Sequence, residues 1–299
     1  MSPYLAMAVM SGVLWGSAGV FVRILGDWGM DDVTVVFSRV SVALFMLALL
    51  ISVTDRRLFR LKRGDVWMFI VSAFSMVALN LFYTMSVGRA SLSFAAVLLS
   101  MSPIFVLIMA HVMFGEAVTC RKVCCMILAI SGCVLVSGIL EESGSVSAGG
   151  TVSGIAAAFF YALYGIMSKR ASASGYSTYT ILFYSILISA LALLPFSNVS
   201  AMIDYGVEGI GNIGILILQA SFSSVVPYIF YTLAVTKGDA GVGSLLAACG
   251  EPMAAAIFGL FFFTEVPSPM MIVGMIIAVV SITIMCAPEK KGADCHDAY

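Results

Sequence analysis

Charge is what this sequence has least of. Only 10% of its 299 residues are Asp, Glu, Lys or Arg, against 61% that are hydrophobic. A soluble chain carries about a quarter charged residues, so the deficit excludes an ordinary water-facing domain and makes lipid the main solvent. Long polar stretches are missing too: none between the apolar runs exceeds roughly a dozen residues, so no separate soluble domain is expected. The net charge of -1 argues against a nucleic-acid partner, which requires clustered cationic surface. No Gly-rich phosphate loop closes on a Lys, which argues against ATP hydrolysis within the chain, and no cofactor is expected. The opening MSPYLAMAVMSGVLWGSAGVFVRIL lacks a basic leader and is about long enough to span a bilayer, so it reads as a membrane helix and not a cleaved signal. The seven cysteines, Cys120, Cys124, Cys125, Cys133, Cys249, Cys286 and Cys295, lie mostly inside apolar runs. They read as small buried hydrophobes, not as a disulfide framework.

What is present is a series of ten apolar segments, near 4–24, 33–53, 66–87, 91–113, 121–140, 150–168, 177–197, 210–234, 240–262 and 268–287. Each is close to the ~20 residues a helix needs to cross a membrane. With the N-terminus inside, the inner loops and tail hold 12 of the 15 basic residues. The outer loops GDWGMDD, EESGSVSAGG and NVSAMIDYGVEG hold no Lys or Arg. The positive-inside rule then puts both termini in the cytoplasm, with Arg23, Arg39 and Arg89 as the three exceptions.

The two halves repeat. FSR at 37 and FYS at 183 are 146 positions apart, and FYTMSV at 82 and FYTLAV at 230 are 148 apart. Pro103 and Pro252, and then Glu116 and Glu265, are both 149 apart. Five spans per half is an odd number, so the second half runs upside down relative to the first. The predicted organisation is all-α, with a first repeat over 1–140, a second, inverted repeat over 150–287 and a short cytoplasmic tail over 288–299.

The pieces LWGSAGVFVR, FSRVSVALF, LLSMSPIFVLIMAHVMFGE and LLAACGEPMAAAIFGLFFFTE, in this order and partly duplicated, resemble the ten-helix branch of the drug/metabolite transporter superfamily, with two EamA-type repeats. The resemblance covers almost the whole chain. It implies a central cavity lined largely by the first, third, fourth, sixth, eighth and ninth helices, alternating access, and export.

Glu251 stands near the middle of the ninth span, where a charge costs about 2.5–3.5 kcal/mol even on the mild insertion scale. The adjoining Pro252 removes a backbone donor, so this pair predicts a helix bent or broken toward the interior, with Pro103 as its counterpart in the fourth span. Glu251 is expected to contact a cationic substrate group or to exchange a proton; the alternative is a protonated carboxyl bonded across helices. Aromatic residues with polar tips are candidates to line the cavity: Trp15, Tyr83, Tyr161, Tyr164 and Tyr228, with Tyr231 beside them. Tyr4, Trp28 and Trp67 read instead as interfacial anchors. Asn80 and Gln219, taken as related positions of the two repeats, either bind substrate or join helices. Arg39 is expected to pair with an outer carboxylate, Arg23 and Arg89 to guard the cavity mouth or snorkel, and Glu116 and Glu265 to act as loop partners. Gly12, Gly16 and Gly19 allow close helix packing.

An intramembrane hydrolase would need Ser17 and His111 as a dyad, or an aspartate partner for Asp239, and the sequence provides neither a clear oxyanion site nor that partner. His111, Cys120, Cys124 and Cys125 do not have the spacing of a closed metal site. The expected protein is a non-enzymatic transporter of the bacterial cytoplasmic membrane, a monomer or weak oligomer, exporting small organic metabolites such as amino acids, with the proton as a candidate coupling partner. Multidrug efflux and nutrient uptake are the alternatives.

Overall fold

In lipid, backbone N–H and C=O groups find partners only within the protein, so apolar segments of this length fold as helices. A computed structural model describes residues 3–89, 92–137, 140, 147–264 and 266–287, and among them there are helices and no strands. The helices are α1 (Pro3–Gly16), α2 (Ala18–Asp27), α3 (Asp32–Thr54), α4 (Val66–Arg89), α5 (Leu92–Leu99), α6 (Ser102–Phe114) and α7 (Cys120–Val136). They continue as α8 (Ala148–Ala173), α9 (Thr178–Leu193), α10 (Val199–Glu208), α11 (Ile210–Ala220), α12 (Val226–Lys237), α13 (Ala240–Phe263) and α14 (Pro269–Cys286). Glu265, Lys290, Lys291 and Cys295 lie outside the described residues.

Among the described residues, nine segments are long and apolar enough to cross a membrane. The remaining expected span, the fifth, is α7, whose 17 residues rise about 25 Å and so reach only the short end of a crossing. This is a multi-pass, all-helical membrane protein. The polar residues it does contain serve helix starts: Asp31, Thr119, Ser177, Asp239 and Ser268 each accept a first-turn backbone N–H.

Helix packing follows a two-fold pattern. α1 packs on α13 as α8 packs on α5 and α6; α4 packs on α8 as α12 packs on α1; α3 meets α11 as α9 meets α4. The α3–α9 and α7–α14 pairs each join equivalent helices of the two halves. The second of these is tied by Ser281, whose hydroxyl donates to the Cys125 carbonyl at 2.8 Å.

Three spans are interrupted and one expected interruption is missing. The first changes direction at Ser17, between α1 and α2, and the fourth at Ser100 and Met101, just before Pro103. The eighth contains a π-helical turn, Ser221–Val225, before Pro227. The break expected at Pro252 is absent: α13 runs through it as one helix of 24 residues. The carbonyl orphaned by that proline belongs to Ala248, and the Cys133 thiol of α7 donates to it at 3.7 Å.

The predicted outer loop at 198–209 folds as α10, which explains Trp28 differently from an interfacial anchor. Its indole Nε1 donates to Glu208 at 2.9 Å, and its ring meets Tyr205 edge-on at 5.1 Å. Gly12 and Gly16 form the α1–α13 crossing as expected, whereas Gly19 faces open space. A Cβ at Gly12 would stand 2.2 Å from the Ala247 carbonyl oxygen. Gly12→Ala is therefore expected to cost about 1–3 kcal/mol and to lower the melting temperature in detergent, while Gly19→Ala melts like the natural chain.

Candidate functional site

The α1–α13 crossing has a direct consequence for the interior. It brings the backbone of Glu251 against Gly12 and Gly16 of α1, and thus next to Trp15 on the following turn. Trp15 is the hub of an aromatic cluster. Its ring meets Tyr161 at 5.9 Å and Tyr228 at 5.1 Å, both edge-on, and Tyr231 at 5.4 Å. Tyr164 closes the group, edge-on to Tyr228 at 5.5 Å and stacked on Tyr231 at 6.5 Å. All five rings are buried, and they come from the first, sixth and eighth spans. Edge-on rings present positive rims and negative faces to one another, which fixes their orientation in a way that aliphatic packing would not.

Glu251 lies at the midpoint of α13 and is part-buried. It stands within electrostatic reach of Arg39, Tyr83, Tyr161 and Tyr228, contributed by α3, α4, α8 and α12, and of Cys133 on α7. Its carboxylate makes no hydrogen bond or ion pair with any described residue. The carboxyl that the sequence places in mid-membrane thus shares an electrostatic neighbourhood with phenols and a guanidinium from both halves of the chain.

Arg39 departs from expectation. It pairs with no described outer carboxylate; its Nη2 donates to Asn80 Oδ1 at 3.2 Å, and its buried Nε has no partner. Asn80 in turn donates to the Met76 carbonyl at 2.7 Å and borders an open groove of about 110 Å³ together with Val33, Val36 and the exposed Leu81 and Met85. Gln219 is not equivalent to Asn80. Its Nε2 donates to the Val35 carbonyl at 3.3 Å and its Oε1 accepts from Ser38 at 3.2 Å, so the amide joins α11 to α3. In the register set by the two FYT triplets, the partner of Asn80 is Tyr228.

At one end of the bundle a polar network ties loops from both halves. Lys169 at the end of α8 ion-pairs with Glu116 and donates to the Gly238 carbonyl at 3.0 Å. The Glu116 carboxylate also accepts the Ala240 N–H at 3.1 and 3.2 Å, capping α13. Lys122 ion-pairs with Asp239, whose other oxygen accepts the Val242 N–H at 2.9 Å. The residues considered for catalysis have local structural contacts: Asp239 is in this network, the Ser17 hydroxyl donates to Leu14 at 2.6 Å, and His111 Nδ1 lies 2.9 Å from the Glu116 carbonyl. Among the described residues, no group of three or more His, Cys, Asp or Glu is placed to hold a metal.

The sequence matches the model of the EamA-like transporter family over residues 2–138 and again over 148–287. The chain belongs to that family. This EamA-like transporter is 26% identical over 279 residues to an uncharacterized transporter of Archaeoglobus fulgidus, covering 93% of this chain and 94% of the relative. It is 25% identical over 259 residues to the pseudopaline exporter CntI of Pseudomonas aeruginosa, covering 86% and 87%. A solved crystal structure shares the fold with a TM-score of 0.78 at 12% identity, covering 96% of this chain and 97% of that one. Family and relatives alike indicate a transporter, with a small molecule as its cargo, and not an enzyme.

Of the residues singled out from the sequence of this EamA-like transporter, Trp15, Tyr161, Tyr164 and Tyr228 are in mutual contact or share a ring neighbour, and Glu251 is within electrostatic reach of Tyr161, Tyr228 and Tyr83. Asn80 adjoins through Arg39, and Gln219 does not. The bond of Arg39 to Asn80 and the role of Cys133 are not part of the sequence reading. Arg39 follows the FS pair that opens the second span, two turns inside it, where inward and snorkelling positions give the same sequence signal.

Proposed function

We propose that this protein exports small organic metabolites, amino acids or closely related amphipathic compounds, across the bacterial cytoplasmic membrane by alternating access. The observation that carries this reading is the buried cluster of Trp15, Tyr161, Tyr164, Tyr228 and Tyr231 beside the mid-membrane carboxyl of Glu251. Rings bury the apolar part of a substrate, phenol groups orient its polar part, and the carboxyl receives an ammonium or a proton. Two inverted repeats, 1–140 and 150–287, rock against each other around that site. Both termini are cytoplasmic on this reading, which puts the Lys169–Glu116 network at the cytoplasmic end. The outward direction is supported by the naming of one relative as an exporter.

The test is flux of radiolabelled amino acids in proteoliposomes, with and without an imposed pH gradient. Amino acids with apolar side chains are expected to move, faster with the gradient than without it. No flux for any amino acid would overturn the substrate reading.

A further inference from the structure

The helix between α9 and α11 is too short to cross a membrane, yet one of its sides is apolar and uncovered. α10 has 10 residues, a rise of about 15 Å, and joins two spans at the same end of the bundle. Successive side chains of a helix point about 100° apart, which sorts those of α10 onto three sides. The first side meets protein: Tyr205 is buried and packs in one cluster with Leu25, Met30, Val35 and Leu216. The second is polar: Asp204 and Glu208, one turn apart, are both exposed, and Glu208 accepts the Trp28 indole N–H. The third meets nothing in the protein. Ile203 and Val207, also one turn apart, are 56% and 75% exposed and belong to none of the core clusters. The helix is nevertheless fixed at both ends: the Asn198 N–H donates to Thr34 Oγ1 at 2.8 Å, and Asn212 Nδ2 donates to the Tyr205 carbonyl at 2.9 Å.

We propose that α10 is an interfacial helix, lying along the bilayer surface with its Ile203–Val207 edge in the acyl region of one leaflet and Asp204 and Glu208 toward water. Continuity with the membrane-crossing surface identifies lipid as the cover. Phe196, just before α10, is 74% exposed, and Ile210, just after it, is 90% exposed. Ile210 then opens a stripe with Ile213 and Ile217, exposed at helical spacing on α11, which belongs to the crossing segment Ile210–Lys237. The apolar edge of α10 therefore runs directly into a surface that lipid already covers. Its polar edge is acidic, so anionic headgroups are not what attracts it; apolar area alone holds the helix in the leaflet. The placement holds whichever compound is carried and whichever end is cytoplasmic.

Tryptophan fluorescence of the full chain in phosphatidylcholine nanodiscs tests this, with the emission of the natural chain subtracted. Val207→Trp puts a reporter on the apolar edge and Asp204→Trp puts one on the polar edge. Phosphatidylcholine brominated near the glycerol end of its acyl chains is expected to quench the Val207→Trp reporter by about twofold or more, while aqueous acrylamide leaves it nearly unchanged. The ranking is expected to reverse for Asp204→Trp. If Val207→Trp does not fold, Ile203→Trp takes its place on the same edge. Quenching of the Val207→Trp reporter by acrylamide and not by the brominated lipid would put that edge in water and overturn the inference. Shielding from both quenchers, with a dimer in sedimentation, would mean that a second copy covers the edge and would overturn it as well. Equal lipid quenching of the two reporters would submerge the polar edge too and overturn the three-sided placement.

Discussion

Glu251→Gln is expected to abolish the response of flux to an imposed pH gradient. The amide keeps the shape and bonding capacity of the carboxyl but cannot carry a proton across, so a pure coupling role predicts loss of at least about tenfold in the gradient-driven component, with exchange in the absence of a gradient surviving. The site is suited to that role. A carboxyl in mid-membrane is expensive and is tolerated where it faces a protein interior, and here it lies within electrostatic reach of phenols on three helices and one guanidinium. Its counterpart in the other repeat is Ser102, also placed just before a proline, so a proline at this position does not require a carboxyl beside it. Flux should be measured at fixed internal pH while external pH is stepped, alongside a melting curve for each protein. Full retention of the gradient response at unchanged stability would reduce Glu251 to a structural residue.

Much of the fold was legible because it depends on properties that sum along the chain. Apolar length gave the spans, and the missing charge gave the solvent. The failures are those of single contacts. Pro252 suggested a break, but the helix continues because Cys133, on a helix more than a hundred positions earlier, meets the orphaned carbonyl. No local pattern announces such a partner. The segment at 198–209 read as a loop because it is short and mixed in polarity, yet Tyr205 of α10 packs edge-on against Trp28, which gives the helix a surface to rest on. The candidate site was legible only as residue types at mid-span, of which Trp15, Tyr161, Tyr164 and Tyr228 meet in one aromatic cluster. Arg39 was not legible, and Gln219 was legible only as a choice between substrate contact and joining helices, of which the second is observed. Both are polar groups near one end of α3, and only the geometry tells that Gln219 is fully engaged with α3 whereas Arg39 has a donor to spare.

Lys169→Met is expected to open the end of the bundle that Lys169 now closes. Its ammonium pairs with Glu116 and lies 5.6 Å from the Phe114 ring, while Arg23 lies 4.5 Å from the Phe263 ring. The two cation–aromatic contacts are repeat-related: Phe114 and Phe263 are 149 positions apart, and Arg23 and Lys169 are 146 apart. One joins the sixth span to the fourth and the other joins the first to the ninth, so by the order of crossings they stand at opposite ends of the bundle. Alternating access requires the two ends to open in turn, and a pair of equivalent latches is a means to balance them. Side-chain exposures of 15% for Lys169 and 11% for Glu116 put this ion pair between the surface and buried classes, so its loss is expected to shift the balance by about 2 kcal/mol, or about 30-fold. Hydrogen–deuterium exchange checks this. In Lys169→Met, the amides of 114–120 and 237–243 are expected to exchange faster, and in Arg23→Met those of 259–264, with the opposite end slowed in each case. Faster exchange at both ends in either variant would mean that the contacts hold the fold together and do not set which end is open.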